Sequence, residues 1–193
     1  MRSALALLLP LVLADCAARG RARALDAELR QTGQEMRACL DAVWSDRAYA
    51  PLTAHLAEYP KETTPSQLSD DSVLRDDDRP GFAQMYSAAT RCDQAQADHA
   101  ARTMPTIVLF LVQRQNMVDD AAVDLYQQRI AWGEFNQRRN NAYDLESPKI
   151  NAALMDLKDW LPAPNNPELL QHQVAARAYM QYFEDQPIVN AMN

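Results

Sequence analysis

Glycine is scarce in this chain. Four occur in 193 residues, Gly20, Gly33, Gly81 and Gly133, and no two lie close enough to build a phosphate-cradling loop. P-loop and dinucleotide-binding sites are thereby excluded, because both need clustered glycines where backbone meets phosphate. Histidine is as sparse: His55, His99 and His172 are scattered. His55 with Glu58 inverts the Glu-x-x-His order that di-iron bundles repeat on two helices, and it occurs once. His99 follows Asp98 and reads as a packing residue, and His172 lies among polar neighbours. No metal and no cofactor is expected. Basic charge is in deficit, with 19 Lys and Arg against 26 Asp and Glu, for a net charge of -7. Without a basic stripe to neutralise phosphates, nucleic acid is not an expected partner. No serine sits on a glycine-flanked turn, so enzymatic activity stays open, with the balance against it.

Long apolar runs are also missing. "TIVLFLV", residues 106–112, has the length of a buried-core segment, well short of the roughly 20 residues that span a bilayer. The run Ala4–Leu13 is shorter than a span too, broken at Pro10, preceded by Arg2 and followed by Ala14, Ala17 and Ala18. That order is the layout of an export signal over residues 1–18. Leu13-Ala14-Asp15-Cys16 resembles a bacterial lipoprotein box, departing from it at Asp15. Cys16 is then either acylated, tethering the protein to the periplasmic face of a membrane, or discarded by a cut after Ala18, leaving a periplasmic or secreted protein.

What the chain has in quantity is helix formers. Ala, Leu, Gln, Arg and Glu dominate, and no segment alternates convincingly as a strand. The expected fold is all-α, a single-domain bundle of five or six helices over residues 19–145, with a helical hairpin at 146–193 packed on it. Helices are expected over residues 22–48, 80–104 and 119–141, with a short piece at 52–58. Pro105 either kinks the second helix or starts a new one; the β-branched content of 106–112 leaves a strand open as the minor alternative. Ser147 and Pro148 have the chemistry of a helix start, and Asn166 and Pro167 that of another. "YPKETTPSQLSDDSVLRDDDRPG", residues 59–81, reads as a long surface loop. Its aspartates lack EF-hand spacing, so it is not expected to hold calcium.

With Cys16 assigned to the leader, Cys39 and Cys92 form an even pair in an oxidising compartment. Cys39 lies on the Leu25, Leu29, Met36, Leu40, Val43 stripe. Cys92 lies on the Phe82, Met85, Ala89 stripe. Both thiols should point inward, and a bridge would close a loop of about 54 residues, contributing roughly 4 kcal/mol by chain-entropy arithmetic.

The most distinctive string is "RIAWGEFNQRRNNAY", residues 129–143. Glycine inside a helix costs roughly 1 kcal/mol against alanine and marks a close approach. Two roles compete for it. Trp132 and Phe135 could anchor a protein contact, with Glu134 beside them and Arg138 and Arg139 binding an acidic partner, since Trp and Arg are frequent hot spots. Alternatively a helix crosses at Gly133, Trp132 enters the core, and the charges face solvent. Trp132-Gly133-Glu134-Phe135-Asn136-Gln137-Arg138-Arg139 resembles a segment of small exported bacterial helical proteins with an aromatic-Gly-Glu-x-Asn-x-Arg-Arg core. The resemblance covers about ten residues, carries no activity with it, and implies location and helical class alone. The expected function is non-catalytic, acting on a protein partner in the cell envelope. The alternatives are a binding module for an apolar molecule or lipid, lined by Ile107–Val112 and the C-terminal aromatics, and a helical hydrolase.

Overall fold

Pro105 separates the two helices on which the rest of the fold is built. In this computed structural model, α4 (Arg79–Thr103) ends beneath it and α5 (Pro105–Tyr126) begins on it. Proline is suited to that position, since a first-turn N–H has no intrahelical acceptor. Residues 106–112 are therefore the opening turns of a helix and not a strand. The structure describes residues 30–159 together with Ala24, Ala27, Glu28, Ala175, Ala176 and Tyr179. Cys16, the export signal, the expected helix start at Asn166, and Tyr182 and Phe183 lie outside the described residues.

Six α-helices and no strand occur among the described residues. The first, α1 (residues 30–44), is joined to α4 by a disulfide between Cys39 and Cys92, with Cα atoms 5.7 Å apart. It ends before the expected 48, and Asp46 instead caps a 3-10 turn at Arg47–Tyr49 by accepting from the Ala48 N–H. The short helix α2 (Ala50–Thr53) follows.

The segment from 59 to 81 lies largely at the surface, as expected, but it is not irregular throughout. It carries 3-10 turns at Pro60–Glu62 and Asp76–Asp78 and the short helix α3 (Pro65–Leu68). Thr64 and Gln67 form a capping box at the start of α3, and Leu74 is fully buried. Proline, serine and threonine here serve helix starts and caps, largely at exposed positions.

The third long helix, α6 (Trp132–Asp159), also departs from expectation. The chain breaks at 127–131, not near Asp119, which sits inside α5. Gln128 takes a left-handed backbone, with φ of 58°. Its side chain compensates by donating to the Leu74 carbonyl at 2.7 Å and to Asp76 at 3.2 Å. At the other end α6 runs through Pro148, so Ser147 is not a cap. Pro148 is exposed. Ala142, Glu146, Ile150 and Leu154 continue one buried stripe across it. The burial of Ile150 and Leu154 offsets the roughly 3 kcal/mol that an interior proline costs.

Two hydrophobic clusters result among the described residues. One is aromatic and sulfur-rich, with Trp132, Phe82, Phe135, Met36, Met85 and the disulfide sulfur of Cys92. The other is aliphatic, with Ile107, Leu111, Ile150 and Leu154 closed by Ala175, Ala176 and Tyr179. No helix among the described residues is long and apolar enough to cross a membrane.

Candidate functional site

The Trp-Gly-Glu string opens α6 and faces the irregular 55–72 segment. The Trp132 N–H donates to the Ser72 carbonyl at 2.9 Å and the Gly133 N–H to Asp70 at 2.7 Å. These are N-terminal helix donors that would otherwise lack partners. A Cβ placed on Gly133 would lie 2.6 Å from the Leu68 oxygen and 2.8 and 2.9 Å from Asp70 main-chain atoms, so only glycine fits without movement. Asn136, fully buried, donates to the His55 and Gln67 carbonyls at 2.9 and 3.0 Å. Arg139 donates to the carbonyls of Ala57 and Glu58 at 2.7 and 2.6 Å. The string is thus a clasp: donors on α6 hold the main chain of the connection.

The expected contact surface is corrected accordingly. Trp132 and Phe135 are each only 2% exposed. Trp132 stacks on His55 and meets Phe82 and Phe135 edge-on, so neither ring can anchor an outside partner. Arg139 is committed to backbone carbonyls. Glu134 and Arg138 do reach the surface, where Arg138 bonds both Glu134 at 2.6 Å and Asp124 at 2.8 Å. His55 is held through Nδ1 by Asp70 at 2.5 Å, and Asp70 in turn accepts from the Ser72 N–H and hydroxyl.

Between α1, α4, α5 and α6 lies a cavity of about 100 Å³. Its apolar wall is Met36, Leu40, Phe82, Met85, Val118 and Phe135; its polar wall includes Asp93, Arg114, Gln115, Arg139 and Tyr143. It adjoins a groove of about 280 Å³ between α4 and α5, and Thr90, Asp93, Gln96, Arg114 and Gln115 line both spaces. For scale, an apolar cavity of about 150 Å³ takes up benzene. The ligand cavity expected at Ile107–Val112 was to be closed by C-terminal aromatics, of which Tyr182 and Phe183 lie outside the described residues. Ile107 and Leu111 are packed into the aliphatic cluster, and Leu111 and Val112 border only the outer groove.

The electrostatics of the cavity are those of charge held away from water. Burial pushes the Asp93 carboxyl above its ordinary range, against the pull of Arg114 and Arg139. Burial pushes the Arg139 guanidinium down. Burial, with neighbouring Asp41, raises Glu58, and Tyr59 is pushed up to about 12, first by burial and then by Glu58. Tyr86 is raised too, by burial and by Asp119, which accepts its hydroxyl at 2.6 Å. Two polar atoms of cavity-lining residues, Trp44 Nε1 and Glu58 Oε1, are buried without a hydrogen-bond partner among the described residues. Perturbed titratable groups beside an apolar cavity are the usual signature of a binding or reactive site.

Sequence reasoning missed Asp93 and Arg114, though a signal exists. Arg114 falls between Leu111 and Val118 on the buried face of α5, and Asp93 falls on the face of α4 defined by Phe82, Met85 and Gln96. A charge interrupting an apolar stripe needs a partner or a purpose. Compared with known proteins, the chain matches no family model, no curated protein and no solved structure.

Proposed function

We propose that this is an exported, disulfide-stapled helical binding module that holds a small, largely apolar molecule in the cavity between α1, α4, α5 and α6. The observation that carries the proposal is the cavity itself: apolar on one wall, polar on the other, and continued by a groove whose lining it shares. Native mass spectrometry of protein purified from its own envelope tests it. A co-purifying mass lost on denaturation is the expected result, and an empty protein that also takes up no added amphiphile would overturn it.

Export is supported by the charged, apolar and small-residue order of residues 1–18 and by the resemblance at 132–139, and a disulfide is compatible with it. Cys16 is the proposed point of acylation. The intact mass of the mature chain decides between a lipid-modified Cys16 and a plain start at Arg19.

A non-catalytic role through a protein partner in the envelope is the second proposal. It now draws its support from α5, where Leu109 is 59% exposed and Val112 45%. Adjacent exposed apolar side chains mark contact surfaces more than isolated ones do. Leu109→Glu should abolish in-envelope crosslinking at this face without lowering the melting temperature; unchanged crosslinking would remove the proposal.

A further inference from the structure

We infer that the molecule held in the cavity carries a carboxylate, and that Arg114 receives it; the inference rests on the cavity being a ligand site. Polarity changes in one direction along three helices. The cavity lining passes from Phe82 to Asp93 on α4, from Val118 to Arg114 on α5, and from Phe135 to Arg139 on α6. The packing register agrees with this order. Tyr86 of α4 bonds Asp119 of α5, and the Arg114 guanidinium lies 4.3 Å from the centre of the Tyr143 ring of α6. An elongated ligand is therefore oriented, with its tail toward Phe82 and its head toward Arg114.

Charge decides the head group. At the polar end the guanidinium groups of Arg114 and Arg139 face the carboxyls of Asp93 and Glu58, and burial favours the neutral form of both carboxyls. Arg139 already donates to the carbonyls of Ala57 and Glu58. Arg114 covers the Tyr143 ring, and among the described residues no hydrogen bond or ion pair engages it. Asp93 feels its charge without pairing with it, and burial favours the neutral form of that carboxyl. A planar carboxylate accepts two parallel N–H bonds from a guanidinium, whereas a cationic head would meet Arg114 and Arg139 at the same end. Arg114 lines the groove as well as the cavity, so the head can be reached from outside.

The test compares three probes of equal length, hexanoate, hexanol and hexylamine, titrated by calorimetry into the oxidised full chain. Hexanoate should bind about tenfold or more tighter than hexanol, the scale of a charge-assisted hydrogen bond. Arg114→Met should erase that difference and leave hexanol binding unchanged. Equal wild-type affinity for hexanoate and hexanol would overturn the carboxylate while leaving the cavity a ligand site. Preference for hexylamine would overturn it in favour of Glu58, whose Oε1 has no hydrogen-bond partner among the described residues. Failure of all three probes would remove the ligand site itself. The wild-type comparison decides the matter even if Arg114→Met does not fold.

Discussion

The two clusters of this protein are built in different ways. The aliphatic one is helix against helix: Ile107 and Leu111 of α5 meet Ile150 and Leu154 of α6. Among the described residues the contact is completed by Met104 of the α4–α5 junction, by alanines and by one tyrosine. The aromatic one is enclosed by α1, α4, α5 and α6 together with the 55–74 connection. Large rings meet edge-on there, and hydrogen bonds from α6 to main-chain carbonyls hold the seam. Flat rings at angles leave space that branched aliphatic side chains would fill, and the cavity lies in the aromatic half. Among the described residues, the aliphatic half is packed helix on helix, and the aromatic half holds the cavity.

Mutations should separate the halves. Trp132→Ala should cost about 3–5 kcal/mol in urea unfolding, as large core truncations do, and should abolish hexanoate binding. Leu154→Ala, fully buried in the aliphatic cluster, should cost about 2–5 kcal/mol and leave binding of the surviving folded protein unchanged. If both changes affect binding equally, the contrast between halves is wrong.

Removing the disulfide by Cys39→Ser with Cys92→Ser should cost about 2–5 kcal/mol. It should also weaken ligand binding, because Met36 and Leu40 flank Cys39 and form one wall of the cavity. Gly133→Ala should cost about 1–3 kcal/mol, as overpacking does, read as a lower midpoint with unchanged helical circular dichroism.

The pH dependence should have one contribution from each half. His99, only 1% exposed and near Tyr179, has both ring nitrogens without hydrogen bonds among the described residues. Glu28 approaches it at 3.4 Å without hydrogen-bond geometry. Burial holds it below its ordinary 6.5, outweighing Glu28. The folded chain binds fewer protons there than the unfolded chain, so stability falls as pH drops below 6.5. Asp93 has the opposite sign. Burial holds it above 3.8, the folded chain binds more protons, and stability falls as pH rises from about 4 through the raised value. His99→Leu should flatten the acid side of a stability–pH curve, and Asp93→Asn the other. Arg138→Ala should have the smallest effect, under about 1 kcal/mol, because its ion pairs are solvent-exposed.

The long helices, the inward cysteines and the helix start at Pro105 were legible because each depends on local chemistry: apolar spacing, or a proline that needs no N–H acceptor. The break at 127–131 was not, since the left-handed residue is Gln128 and its compensation comes from Leu74 and Asp76, far away in sequence. Pro148 misled for a related reason. Ser147-Pro148 is a local start signal, and burial of Ile150 and Leu154 overrides it. The string at 132–139 was legible as a close approach at Gly133. Its role as a contact surface was not borne out for Trp132 and Phe135, because the partner is another part of the same chain. The cavity residues were visible only as charges on otherwise apolar faces.

The clasp has a consequence for which substitutions the two sides of the seam can absorb. On the α6 side the recognition is written in particular side chains and in one missing Cβ, so Gly133, Asn136 and Arg139 have few substitutes. On the facing side, Ala57 and Leu68 contribute carbonyl oxygens, which every amino acid carries. Saturation mutagenesis should therefore find a seam that is demanding along one edge and permissive along the other. The connection could drift in side-chain identity at those positions while its path over α6 stayed the same.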